Sequence, residues 1–125
     1  MLAYEVSKDN DMVVMTSIGQ VTFEDFQSVM PKFITDIRSL SIRKMLLDDR
    51  MHEGSASQRA EAISSHALRD ARALFDKIAY VSPRSKDALE LLEFFRNSST
   101  DIRHFLPAQY DSALDWLKGA QAMKD

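Results

Sequence analysis

The sequence contains no cysteine and only three glycines and three prolines. Without thiols there can be no disulfide, no thiol nucleophile and no thiolate metal ligand. The glycines stand far apart, at positions 19, 54 and 119, so neither the dinucleotide-binding fingerprint nor the P-loop can be assembled. Gly54-Ser55-Ala56 lacks the second glycine that would let a strained nucleophile elbow form, which argues against serine hydrolase chemistry. No apolar run approaches the roughly eighteen residues of a membrane span, and MLAYEVSKDND has neither the basic opening nor the apolar stretch of a secretory signal. A cytoplasmic protein is expected. The formal charge of −3 is mild, and with the signs interspersed no basic stripe would attract nucleic acid or anionic lipid.

What is present is 125 residues, about one domain and long enough to bury roughly two thirds of its unfolded surface. Residues 1–119 read as that single domain and 120–125 as a frayed tail. Ala3 to Ser7 and Met12 to Ile18 are short runs rich in β-branched and aromatic residues, and Lys8-Asp9-Asn10-Asp11 between them predicts a hairpin turn. Gly19 is expected to end the second strand. Thr22 then stands as an N-cap with Asp25 three residues on, in capping-box spacing. Phe23, Phe26, Val29, Met30, Phe33, Ile34 and Ile37 recur at three- and four-residue steps, one apolar face of a helix. Pro31 lies inside that stripe and predicts a kink near Gln27 to Met30 in one continuous helix.

Ile42 to Asp48 reads as a strand whose continuous centre, Met45-Leu46-Leu47, suits the middle of a parallel sheet covered on both faces. A helix is expected over 56–75, a buried strand at Lys77 to Val81, and a helix from the Ser82-Pro83 start to about Arg96. A last strand at Asp101 to Leu106, broken by Pro107, precedes a helix over Gln109 to Lys118. The order ββαβαβαβα, with right-handed crossovers, predicts an α/β fold on a mostly parallel five-stranded sheet.

The chemistry is concentrated in LLDDRMHEGSAS (46–57), which holds Asp48, Asp49, His52, Glu53, Ser55 and Ser57. Asp48 and Asp49 close a strand at its carboxyl edge, where ligands bind in open α/β sheets, so these six residues are the candidate ligand or regulatory loop. A plainer reading stands beside it: Ser55 and Gln58 fit a capping box, and Gly54 gives the loop its turn. His52, His66 and His104 have no HxH or HxxxH spacing, so no metal site and no cofactor is expected, and a structural or solvated role is read for all three.

Three phrases carry a resemblance: IGQVTFEDFQSVMPKF (18–33), FDKIAYVS (75–82), and ALDWL (113–117) after a strand ending HFLP. They resemble the SpoIIAA-like superfamily, which includes the STAS domains (sulfate transporter and anti-sigma factor antagonist) and is related to the lipid-binding CRAL-TRIO domains. The chain is similar to the small stand-alone bacterial proteins of that group. The resemblance implies a right-handed superhelix of β-α units with an antiparallel N-terminal strand. It also implies a regulatory turn between the third strand and second helix, where STAS antagonists carry a phosphorylatable serine directly after an aspartate. Here Asp48-Asp49 runs into Arg50-Met51 instead, and the serines come later, so a phosphate on Ser55 at the helix N-terminus is the form such a switch would take.

The function expected is a non-catalytic binding or regulatory module acting by protein contacts or a small ligand. The alternative is a carrier of a lipid or other apolar small molecule, with the phenylalanines of the first helix and the seven methionines lining an adaptable cavity. An enzyme is the third reading, with Asp48, Asp49, His52 and Glu53 as acid and base candidates. The uncovered edge strand at Ala3 to Ser7 favours a homodimer.

Overall fold

The computed structural model describes residues 1–53, 74–83, 89, 92–93 and 99–119. Its elements in chain order are β1 (Leu2–Ser7), β2 (Met12–Gln20), α1 (Phe23–Ser39), β3 (Lys44–Glu53), β4 (Lys77–Val81), β5 (Asp101–Phe105) and α2 (Tyr110–Lys118). The strands lie side by side in the order β1-β2-β3-β4-β5. β1 runs antiparallel to β2, and all the other pairings are parallel. β3 is therefore central, as its apolar core Met45-Leu46-Leu47 requires.

Strand alternation sorts the side chains onto two faces. The inner face carries Val13, Met15, Met45, Leu47, Ile78 and Tyr80, with Leu2, Tyr4 and Val6 of β1, and packs on Met30, Phe33 and Ile37 of α1. Those three helix residues are the predicted stripe, and Val29 and Ile34 flank them half-buried. The side chains of Phe23 and Phe26 lie outside what is described. Tyr4 meets Phe33 edge-on at 5.2 Å between ring centroids. The outer face carries Met12, Leu46, Ala79 and Val81 under Ala113, Trp116 and Leu117 of α2.

α1 starts where its capping box places it. Thr22 Oγ1 accepts from the Asp25 backbone N–H at 3.1 Å, and the Asp25 carboxylate accepts from the Thr22 N–H at 3.0 Å. The helix continues through the exposed Pro31, which lacks the N–H that the carbonyl four residues earlier would accept. Between β1 and β2 the polar tetrapeptide forms a single 3-10 turn over Lys8–Asn10, and Asp11 takes a left-handed conformation at φ 55. Gly119 ends α2 at φ 74, a C-cap conformation that glycine adopts without steric cost.

Four sequence expectations need correction. Gly19 does not end β2, which runs on to Gln20 with Gly19 at φ 63 inside the strand. β3 does not stop at Asp48 but continues to Glu53. These two overruns pair with each other, Ile18 with Met51, Gly19 with His52 and Gln20 with Glu53, so backbone pairing sustains them where hydropathy gives no signal. Phe75 is not helical; it is buried in the inner core just ahead of β4. Pro107 is followed by a 3-10 turn over Pro107–Gln109, so the last helix begins at Tyr110. Leu89, Leu92 and Glu93 are helical; the remaining residues of the two helices expected between β3 and β5, with His66 and the tail 120–125, lie outside the described residues.

Candidate functional site

Among the described residues only α2 covers the outer face. α2 packs on β4, β3 and β5, and among the described residues nothing else lies over the outer side of β1 and of β2 beyond Met12. A cleft of 460 Å³ lies there, floored by Ala3, Glu5 and Ser7 of β1 and Val14 and Thr16 of β2 and walled by Asp48, Arg50 and Tyr110. Its size falls within the range of small-ligand sites, although its lining is more polar than is usual for them.

The wall is a three-residue stack. Asp48 is buried at 5% exposure on the outer face, opposite Thr16 of β2 and Val81 of β4. Its Oδ1 accepts from Arg50 Nε at 2.9 Å and from the Arg50 backbone N–H at 3.1 Å, and its Oδ2 accepts from Nη2 at 2.8 Å. The guanidinium then lies over the Tyr110 ring, 3.9 Å from its centroid. The hydrogen bond from Asp48 keeps Arg50 more firmly protonated than an ordinary arginine. Burial, and secondarily the charge of Asp48, pushes the Tyr110 hydroxyl above its ordinary pKa, so it remains a neutral donor at physiological pH.

A register shift between Thr16 and Ile18 of β2 builds this arrangement. Thr16 pairs with Asp48 and Ile18 with Met51, so β3 fits one extra residue into the interval. Pairing sets Met51 on the outer side with Ile18, and contact with Asp48 and Tyr110 sets Arg50 there too. Met51 and Ile18 are exposed at 65% and 40%, an apolar pair adjoining the polar cleft.

The candidates read from sequence do not converge. Asp48 is in the cleft wall, but alternation turns the neighbouring Asp49, 1% exposed, to the opposite face. His52 and Glu53 follow on β3 beyond the shift, opposite Gly19 and Gln20, and are successive residues whose side chains part. Ser55 and Ser57 lie outside the described residues. His104 has a structural contact, its Nε2 donating to the Ser82 carbonyl at 2.8 Å across β4 and β5. Sequence reasoning missed Arg50 and Tyr110. Asp48 and Arg50 two apart on a strand share a face, a signal legible once the strand is known to extend that far. Tyr110 sits in another element and gives no local sign. Among the described residues no group of three or more His, Asp or Glu is placed to hold a metal ion, and no helix is long and apolar enough to cross a membrane.

Fold and site together define a small α/β protein: a mostly parallel five-stranded sheet with a polar cleft on its outer face. A profile of the SpoIIAA-like family matches residues 12–118, and the chain belongs to that family. Among solved structures it is similar to an uncharacterised protein with a SpoIIAA-like fold from Shewanella loihica PV-4. The TM-score is 0.68 at 20% identity, over 94% of this chain and 92% of that one. No curated protein matches.

Proposed function

We propose that the protein is a non-catalytic binding module that takes its partner on the outer sheet face, at the cleft walled by Asp48, Arg50 and Tyr110. The observation that carries this reading is the engagement of both Asp48 oxygens by Arg50. With the Arg50 backbone N–H also bonded to Oδ1, three of the roughly four lone-pair positions of this carboxylate are taken, so its geometry fixes a neighbour rather than meeting a substrate. The same pairing is well suited to recognition. Asp48 and the Tyr110 ring fix the guanidinium, so little side-chain entropy is lost when a partner meets the polar groups beside it. Among the described residues Asp49, His52 and Glu53, the other acid and base candidates, stand apart from this pair.

The reading of an apolar carrier rested on methionines and phenylalanines. Met12, Met15, Met30, Met45 and Phe33 are packed in the two cores, and the described cleft is lined by other residues.

The test begins with native mass spectrometry of gently purified protein, compared with the same sample denatured. A library of metabolites and peptides is then screened for both binding and turnover. The expected result is a retained or added partner that is lost in Arg50→Ala, with no turnover. Turnover of any library member that is abolished by Asp48→Ala would overturn the proposal.

A further inference from the structure

Among the described residues β1 is an edge strand, and its hydrogen-bonding phase identifies which of its groups point away from β2. Ile18 N–H donates to the Met1 carbonyl at 2.9 Å, and Met1 N donates to the Ile18 carbonyl at 2.8 Å, so Met1 and Ile18 form a hydrogen-bonded pair. In an antiparallel ladder such pairs alternate, so Ala3, Glu5 and Ser7 also bond inward to β2, while the amides of Leu2, Tyr4 and Val6 point outward. Among the described residues no strand lies beyond β1. Natural sheets usually blunt such an edge with proline, lysine, a bulge or a covering loop. The segment Leu-Ala-Tyr-Glu-Val-Ser carries no proline or lysine, and its register with β2 is unbroken.

We infer that this edge pairs antiparallel with β1 of a second copy of the chain, centred on Tyr4, so that one sheet runs across the two-fold axis. Only pairings that bring even residues opposite even residues satisfy the outward amides, and centring on Tyr4 engages all three. Leu2 then faces Val6 of the second copy, Tyr4 faces its own symmetry mate, and Ala3 faces Glu5. Apolar residues meet apolar ones on the inner side, where Tyr4 and Val6 are only half-buried in the single chain. The small Ala3 takes the long Glu5 on the outer side. About six backbone hydrogen bonds form.

The pairing completes the cleft. Ala3 and Glu5 form its floor on the β1 side. Across the axis they adjoin the same residues of the second copy, so two clefts become one trough with an Arg50–Asp48 pair toward each end. The two Glu5 carboxylates become diagonal neighbours about 7–8 Å apart, so the dimer carries a like-charge repulsion that salt relieves.

The absence of cysteine makes the test direct. Tyr4→Cys should cross-link to itself under mild oxidation, because paired residues there are about 5.5 Å apart between Cα atoms, within disulfide reach. Ser7→Cys, far from its mate in this register, should not cross-link. By sedimentation velocity the natural chain should pass from monomer to dimer with concentration, and more readily at high salt than at low. Glu5→Gln should tighten the dimer about two- to fivefold. Val6→Pro should abolish it while the monomer stays folded, because the Val6 amide makes no bond to β2. A chain monomeric at every concentration, or a dimer that survives Val6→Pro and cross-links as well at position 7 as at 4, would overturn the inference. Where Tyr4→Cys fails to fold, a mixture of Leu2→Cys and Val6→Cys reads the same register.

Discussion

Replacing Arg50 with methionine should destabilise the fold far more than replacing Arg50 and Asp48 together. Methionine keeps an unbranched stem against the Tyr110 ring but removes the guanidinium, leaving a 5%-exposed carboxylate that, among the described residues, keeps only the Arg50 backbone N–H at 3.1 Å. Breaking a fully buried ion pair from one side costs about 3–5 kcal/mol, because the remaining charge stays desolvated. Here the Arg50 side chain is 39% exposed, so water can enter behind it and the cost falls to about 2–3 kcal/mol. Loss of the cation–π contact adds about 0.5 kcal/mol, partly offset by sulfur against the ring. For a chain of this size the sum is a fall in Tm of about 10 °C.

In the double variant Asp48→Leu/Arg50→Met no charge is left buried in the cleft wall, and stability should return to within about 1 kcal/mol of the natural chain. Asp48→Leu alone should be intermediate, since the long arginine can swing to solvent as the buried aspartate cannot. The four proteins form a double-mutant cycle, measured by urea denaturation at neutral pH, with an expected coupling of about 2 kcal/mol. An Arg50→Met cost below about 0.5 kcal/mol, or a double variant as damaged as the sum of the singles, would refute the premise that burial of Asp48 sets the energetics of the wall.

Tyr4 supplies a pH prediction. Burial, the hydrogen bond to Asp36 Oδ2 at 2.6 Å and the charge of that carboxylate raise its hydroxyl from 10.0 to about 12. Because the folded value lies above the unfolded one, this contribution to stability is whole below about pH 10 and is lost as pH rises towards 12. Ultraviolet titration against Tyr4→Phe should show the missing phenolate appearing late, and Asp36→Asn should bring it earlier. Phe33→Ala, at a 0%-exposed position between Tyr4 and Phe75, should cost about 3–5 kcal/mol by chemical denaturation. Gly19→Ala should cost about 1–2 kcal/mol for φ 63 alone, since an added Cβ would meet Glu53 Oε2 at an ordinary 3.7 Å; a neutral result would mean the backbone relaxes there.

The core of the fold was legible wherever burial left a periodic mark. The stripe through Met30, Phe33 and Ile37 and the run Met45-Leu46-Leu47 placed the first helix and the central strand, and Lys77–Val81 matched its strand end to end. What escaped was the pairing of Ile18–Gln20 with Met51–Glu53. Both segments are polar or glycine-bearing, and their pairing is a tertiary fact that neither segment encodes alone. The same blindness hid half the site. With β3 ended at Asp48, Arg50 looked like a loop residue, and the alternation that sets it beside Asp48 had no strand to act on.

That the cleft lies over β1 and β2 follows from the dimensions of its neighbours. An α-helix with its side chains is about 10 Å across, and strands are spaced about 4.8 Å apart, so one helix shields little more than two strands. α2 is held over β4 and β3 by Ala113, Trp116 and Leu117, with Lys77 and Arg103 stacked against the Trp116 ring at 5.1 and 4.8 Å. Among the described residues nothing equivalent covers β2 and β1, and the outward positions there change character accordingly. Met12, under cover, is apolar; Val14 is half-buried; Thr16 and Glu5 are polar. Asp48 falls on the boundary between the covered and open halves, buried enough to need a counter-charge and close enough to solvent for Arg50 to supply one. The ion pair, the aromatic wall and the open floor are three consequences of a single boundary. A substitution that moved α2 over β2, such as enlarging Ala113, would therefore disturb Arg50 and Tyr110 before it touched the inner core.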